Sequence, residues 1–231
     1  RTVRGQAQRL VTMIIGGRPY AIPEIAEETD ALLLSFYPGP WGGYALAKIL
    51  AGQCPPSGRL AASLPYNAGE LPVYYNKKRT DRVRRYVEAK DHREALYAFG
   101  EGMGYAEADY GKFSLENLMT SCPNPDDQIA ARIHFALCNP ASVPVAAVPM
   151  LFITDLESDV TRRALELKDF ARYLLAAGDS CQGMLNLTGA DLAVWNTEMR
   201  KEVQPGHVHL TLKDGFRILW ETELTIPFKT N

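Results

Sequence analysis

The sequence predicts an α/β segment carrying a partial parallel sheet, followed by an all-β sandwich. Three observations support this reading. Two continuous apolar runs alternate with helical stretches in the first half, short period-2 runs fill the second, and turn residues separate those runs at sandwich-like spacings.

The first apolar run is VTMII (11 to 15), ended by Gly16-Gly17, after which Pro23 opens the short helical stretch PEIAEE. ALLLSF (31 to 36) is the second buried-strand candidate. Pro38-Gly39-Pro40 breaks it, and Trp41 to Ala51 has helical spacing and ends at Gly52. Continuous apolar strands separated by helices point to a parallel sheet with both faces covered. Two such units are too few for an independent doubly wound domain. They leave an unpaired edge and an exposed apolar face, conditions for aggregation or for a partner chain, such as a second copy in a homo-oligomer.

From residue 67 to about 109 the signals fade into Pro, Gly, Tyr and charges, including NKKRTDRVRRYVEAKDHRE at 76 to 94. A stretch of this length is expected to be functional or to connect domains. From Lys112 onward the period-2 runs are ARIHFAL (131 to 137), VAAVPMLFI (145 to 153), ALELKDFARYL (164 to 174), HVHLTL (207 to 212) and FRILWETEL (216 to 224). Asn139-Pro140, Ala177-Gly178-Asp179, Pro205-Gly206 and Asp214-Gly215 supply the turns. The expected division is residues 1–110, with a long linker loop from about 67, and residues 111–231.

The 231 residues, 46% hydrophobic and 23% charged, suffice for a real core, and a net charge of -2 gives no excess of positive charge for nucleic acid. No apolar stretch approaches the roughly 20 residues that span a bilayer, so no membrane partner is expected. The opening RTVRGQAQRL lacks the apolar core of a signal peptide and reads as starting within a longer sequence. Cys54, Cys122, Cys138 and Cys181 stand far apart without a C-x-x-C pair, which argues against a zinc ribbon or a thioredoxin-like site. One disulfide in the second half and buried free thiols both remain open.

Several chemistry-bearing patterns have a structural reading beside the functional one. Glu24, Glu27, Glu28 and Asp30 read as a solvated helix face rather than catalytic acids. Asp155-x-Glu157-x-Asp159 could converge on a cation, but it lacks the Gly and closing Glu of an EF-hand and reads as a solvated turn. Gly100-x-Gly102-x-Gly104 follows a charged loop and precedes no obvious helix, so an interdomain turn needing φ > 0 is expected instead of a phosphate cradle. His207 and His209 share a strand face, with His134 as a third candidate ligand; ordinary strand histidines are the expectation, and no metal or cofactor is implied. Asn186-Leu187-Thr188 has the pattern of a glycosylation acceptor in a secreted eukaryotic context.

The order of motifs carries more than any one of them. Gly17-Arg18-Pro19 is followed by Pro38-Gly39 with Gly42-Gly43, then Ala45, Ala47, Leu50 and Gly52, then Pro56-Ser57-Gly58-Arg59-Leu60 with Leu64-Pro65. Later come Leu71-Pro72, Tyr74-Tyr75-Asn76 and the block Tyr97-Ala98-Phe99-Gly100-Glu101-Gly102-Met103-Gly104-Tyr105. Leu165, Leu167-Lys168-Asp169-Phe170 with Ala177-Gly178, and Asp191-Leu192 to Trp195 with Val203 to Gly206, close the series. In this order they resemble the C-terminal portion of family 3 glycoside hydrolases. The resemblance implies the end of a flavodoxin-like α/β sandwich domain and then a fibronectin type III-like, immunoglobulin-like sandwich. Three departures mark a divergent member: Pro40-Trp41 where Gln-Glu is usual, Gly104 and Ala106 where Ser and Thr are usual, and Ala146-Ala147 where a Gly is expected.

The resemblance implies a β-glucosidase- or β-xylosidase-like exo-hydrolase that releases terminal β-linked sugars with retention. Its Asp nucleophile comes from an N-terminal barrel, and its acid/base Glu from a position expected to precede Arg1. No catalytic residue is therefore assigned here, and the chain alone is expected to be inactive. A β-linked oligosaccharide or glycoside is the implied substrate, and a periplasmic or secreted location is favoured by family. Trp41, in the turn after a parallel-type strand, could stack an indole face on a pyranose ring or pack in the interior. The loop from Lys77 to Arg85, ending in Tyr86, could fold Arg85 and Tyr86 over a neighbouring site or stay solvated. The alternatives are a non-catalytic carbohydrate- or protein-binding sandwich module and, more weakly, a flavodoxin-like nucleotide binder.

Overall fold

The computed structural model describes residues 3–78, 95–126, 129–155 and 157–228. They form two compact units: one from described residues 3–54, 60–75 and 95–99, the other from 55–59, 76–78 and the described residues from 100 to 228.

In the first unit β1 (Val11–Ile15) runs parallel to β2 (Ala31–Phe36), in register from Val11↔Ala31 to Ile14↔Leu34. The register then skips Ser35, whose hydroxyl donates to the Ile14 carbonyl at 3.2 Å, so that Ile15 pairs with Phe36. The helix α1 (Pro23–Glu28) starts with proline in its first turn, where the missing N–H would have no helical acceptor. The helix α2 (Gly42–Leu50) ends in paired hydrogen bonds from Gly52 N–H to Ile49 O and from Gln53 N–H to Lys48 O, both 2.9 Å.

The β1-α1-β2-α2 order expected from the apolar runs is thus present, and the parallel sheet has two strands among the described residues. Burial on both strand faces is not: the side chains of β1 and β2 are half-buried or exposed throughout. Two strands and two short helices supply too little surface to cover them.

The second unit is a sandwich. One sheet runs β3-β4-β9, with β3 (Asp109–Asn117), β4 (Ala131–Cys138) and β9 (Ser180–Leu187); the other runs β13-β12-β6-β7, with β6 (Met150–Asp155), β7 (Glu166–Phe170), β12 (Gly206–Asp214) and β13 (Arg217–Ile226). Every pairing is antiparallel. The inner faces meet in a core where Ile133, Phe135, Leu137, Leu185 and Leu187 of one sheet join Leu151, Ile153, Leu210, Leu212 and Leu224 of the other. Each such side chain contributes about 1.5–3 kcal/mol by leaving water.

Two runs expected to be single strands are each two. VAAVPMLFI divides into β5 (Val145–Ala147) and β6, and ALELKDFARYL into β7 and β8 (Tyr173–Leu175). β5 pairs with β8 while β6 pairs with β7 and β12, so the chain changes sheet near Pro149 and again near Ala171. Pro149 has no N–H for a ladder, and its carbonyl accepts from Ala171 at 3.2 Å. All nine residues from 145 to 153 are buried, without alternation. On the outer side of β6, the position a Gly100 side chain would take is 3.1 Å from Met150 and 3.8 Å from Phe152, so the Gly100 turn covers that face.

A short helix α3 (Gly189–Leu192) begins in a reciprocal box between Thr188 and Asp191, and β10 (Val194–Trp195) pairs with β11 (Lys201–Glu202).

Candidate functional site

The carboxyl ends of β1 and β2 present the aromatic residue singled out from the sequence. Trp41 sits at the amino end of α2 and is 75% exposed, so the packing alternative does not hold in this unit. Its ring meets Tyr44 edge to face, with centroids 6.3 Å apart, and the Lys48 ammonium lies 4.7 Å above the Tyr44 ring. The Pro38-Gly39-Pro40 turn holds this geometry: Gly39 has φ +67° and its carbonyl accepts from Gly42 N–H at 3.2 Å. The other two substrate-binding candidates, Arg85 and Tyr86, lie outside the described residues, as does most of the charged loop that contains them.

The acidic candidates do not converge. Glu24 and Glu27 are exposed on α1, as a solvated helix face requires. Asp30 differs from that expectation: it follows the helix and clasps the amino end of the parallel pair. Its carboxylate accepts from Leu10 N–H at 2.7 Å and Arg4 at 2.6 Å, with Arg9 at 3.5 Å. The backbone hydrogen bond from Leu10, then the one from Arg4, hold its carboxyl below the usual range. In the second unit, Gln204 engages Asp159 and Ser158, while Glu157 lies against Gly206. Glu157 and Asp159 are thereby spent on the turn.

His134 belongs to the three-stranded sheet and His207 and His209 to the four-stranded one, so the three are not brought together. His134 lies 3.1 Å from Glu116, whose pKa is lowered by this hydrogen bond first, and His209 lies 3.2 Å from Glu221. Among the described residues no group of three or more His, Cys, Asp or Glu is placed to hold a metal ion. None of the four cysteines forms a disulfide. Cys138 and Cys181 lie on adjacent strands but next to, not opposite, each other; Cys138 is exposed while Cys181 packs toward the core, so their side chains leave opposite faces. Asn186 is half-buried in β9, and the Thr188 hydroxyl caps α3, which gives the hydroxyl residue of the glycosylation pattern a structural role.

One titratable cluster was not legible in the sequence. Asp214, at the end of β12 and buried, accepts from Arg59 and Tyr110 and from the Val148 N–H. Burial, then the Asp214 charge, push the Tyr110 phenol far above its ordinary range. Around the Arg59 side chain the backbone closes tightly. A side chain on Gly102 would come within 2.6 Å of the Gly58 carbonyl, and one on Gly215, whose φ is +58°, would collide with the carbonyl of Gly102. The Gly100-x-Gly102 pair has positive φ at both positions, as a turn requires, and the next element is the strand β3 rather than a helix. Through Arg59, Asp214 ties residues 55–59 to the sandwich.

Comparison with known proteins agrees with both units. Residues 1–105 match the model of the glycosyl hydrolase family 3 C-terminal domain, and residues 147–214 that of a fibronectin type III-like domain. The chain is 27% identical over 216 residues to a periplasmic β-glucosidase of Salmonella typhimurium, covering 88% of this chain and 27% of that protein. It is 28% identical over 200 residues to a β-xylosidase of Formosa agariphila, covering 85% of this chain and 27% of that one. The crystal structure of a β-glucosidase from Listeria innocua superposes with a TM-score of 0.86 at 26% identity, over 99% of this chain and 32% of that chain. The chain therefore spans about a quarter to a third of the length of these relatives.

Proposed function

The chain belongs to glycoside hydrolase family 3, as a C-terminal domain followed by a fibronectin type III-like domain, and on that premise we propose that it is part of a hydrolase releasing terminal β-linked sugars. The observation that carries this reading is the agreement of both domains, in order and over 99% of the chain, with a β-glucosidase. In that hydrolase the β1–β2 pair is continued by further parallel strands into a flavodoxin-like sheet, and the fibronectin type III-like domain begins near residue 111.

Retaining hydrolysis uses two carboxyl groups roughly 5–5.5 Å apart, one as nucleophile and one as general acid/base. No enclosed pair of this kind lies beside Trp41 among the described residues: Asp30 is clasped at the opposite end of the strands, and Glu24 and Glu27 are solvated. The nucleophile and the acid/base belong to the N-terminal barrel and to preceding α/β sequence of the whole hydrolase. Trp41 stacks on the sugar, and this chain alone does not turn over substrate.

Hydrolysis of a panel of aryl β-glycosides tests the reading, with this chain measured beside a longer one extended upstream. Activity in the longer chain alone is expected. Turnover by the 231 residues themselves would overturn the assignment of the carboxylate pair. Oligosaccharide binding by both chains without turnover in either would replace the hydrolase with a carbohydrate-binding module.

A further inference from the structure

β9 lies at the edge of its three-stranded sheet, and its sequence, SCQGMLNL, contains neither a charged residue nor a proline. Charge and proline are the usual means by which an edge strand repels another chain, and a strand without them is prone to pair. The edge is nevertheless occupied, by side chains. Asn139 N–H donates to the Asp179 carbonyl at 2.8 Å, next to the Cys138↔Ser180 pair. In this register the odd-numbered residues of β9 turn their backbone groups toward β4 and the even-numbered ones turn theirs away. Two of those outward N–H groups meet acceptors from β8 and β7. Met184 N–H donates to the Tyr173 hydroxyl at 3.3 Å, and Asn186 N–H to Asp169 Oδ2 at 2.8 Å.

Both acceptors are held in place. β6 pairs Leu151 with Asp169 and Phe152 with Leu167, so Lys168 is an extra residue in β7, a bulge of the kind that re-aims a neighbouring side chain. Asp169 Oδ1 accepts from Phe170 N–H at 2.8 Å, which leaves Oδ2 for Asn186. The Tyr173 ring meets Phe135 edge to face, with centroids 6.1 Å apart, and Phe135 in turn fills the space beside Gly183. We infer that Asp169 and Tyr173 guard the β9 edge, and that the partner they exclude is the β9 strand of a second copy of this chain. An uncharged strand lies antiparallel against its own copy without like charges meeting, and such a two-fold pair is self-complementary. It would draw on the Met184 and Asn186 N–H groups, which the guards occupy.

Amide exchange at Met184 and Asn186, followed together with the mass in solution over a range of concentrations, tests this on the whole chain. In wild type both amides are expected to be protected at every concentration, although they face away from β4. Tyr173→Phe should speed exchange at Met184, and Asp169→Ala at Asn186, about two- to tenfold, the effect of one hydrogen bond. Asp169→Asn, which keeps an acceptor, should leave Asn186 protected. With Asp169→Ala and Tyr173→Phe combined, the mass should rise above that of wild type, and protection at the two amides should return as concentration increases. Adding Gln182→Lys, a charge on the same strand, should reverse both effects. A double variant that keeps the wild-type mass, with the two amides unprotected at every concentration, would overturn the inference, as would association that Gln182→Lys leaves intact. Asn139→Ala, which weakens the same sandwich without removing either guard, should keep the wild-type mass. If it associates as the double variant does, association follows from lost stability and the guard reading falls.

Discussion

The guanidinium of Arg59 donates from Nε at 3.1 Å and from Nη2 at 2.5 Å to a single carboxylate oxygen of Asp214, 155 residues further along the chain. The second oxygen accepts from the Tyr110 hydroxyl at 2.8 Å and the Val148 N–H at 3.1 Å. Side chains of both partners are nearly enclosed, 10% and 6% exposed. A charge removed from water in this way is tolerated because every lone pair in use has a donor.

Deleting one partner should therefore cost more than the pair itself contributes. Asp214→Ala leaves the Arg59 charge enclosed, and a loss of about 3–5 kcal/mol is expected in denaturant unfolding. Arg59→Met should cost a comparable amount, and the double variant clearly less than the sum. Strictly additive losses would show that the two residues are not coupled.

Tyr110 makes the same network sensitive to alkali. Its folded pKa is raised, by burial and then by the Asp214 charge. A raised pKa contributes stability that is complete below the unfolded value, about 10, and declines as pH rises beyond it. The melting temperature should accordingly fall above about pH 10, and Tyr110→Phe should remove part of that fall while costing about 1 kcal/mol at neutral pH. An identical alkaline profile in the variant would refute the assignment.

Acid acts on the other unit. Asp30 has a lowered pKa, caused first by the Leu10 N–H and then by Arg4. A depressed carboxyl pKa contributes stability present above the unfolded value, about 3.9, and lost as pH falls through the folded one. Protection of the Leu10 and β1 amides, relative to their intrinsic exchange rate at each pH, is expected to fall below about pH 4. In Asp30→Asn it should already be low at neutral pH; protection equal to wild type at pH 6 would count against the clasp.

Asn139 offers a test free of titration. It is buried, donates from Nδ2 to the carbonyls of Val143 at 2.9 Å, Leu175 at 3.2 Å and Ala176 at 2.9 Å, and accepts from Ala141 N–H at 2.9 Å. Asn139→Ala removes the side-chain partner of these backbone groups, of which the Ala176 carbonyl keeps the Asp179 N–H, and should cost about 2–3 kcal/mol in urea unfolding. A loss below about 0.5 kcal/mol would mean that water replaces the side chain without penalty.

Much of the fold was legible because its signals are local. Pro23 and Gly52 mark helix ends through properties of one residue, and VTMII and ALLLSF announce strands by composition. Four strands have no counterpart among the apolar runs: β10 and β11 are only two residues long, and β3 and β9 lack a clear alternation. β3 carries a bulge between Gly111 and Ser114 with Lys112 at φ +53°, which scrambles its alternation. β9 has Gly183 at an inward position, where the Phe135 ring fills the space a side chain would take, so the apolar alternation is reduced to Leu185 and Leu187.

By itself, the sequence determined the family, the order of its elements and most strand positions, since periodicity and turn chemistry act over a few residues. Tertiary structure alone decided which strand lies beside which and that the run from 145 to 153 is buried on both sides. It also decided that Asp214 is an anchor and that Trp41 faces solvent. Each of these depends on groups from distant parts of the chain meeting in space. Residue type fixes what a carboxylate or a ring can do; only its surroundings, in water or in an enclosure already filled with donors, fix what it does.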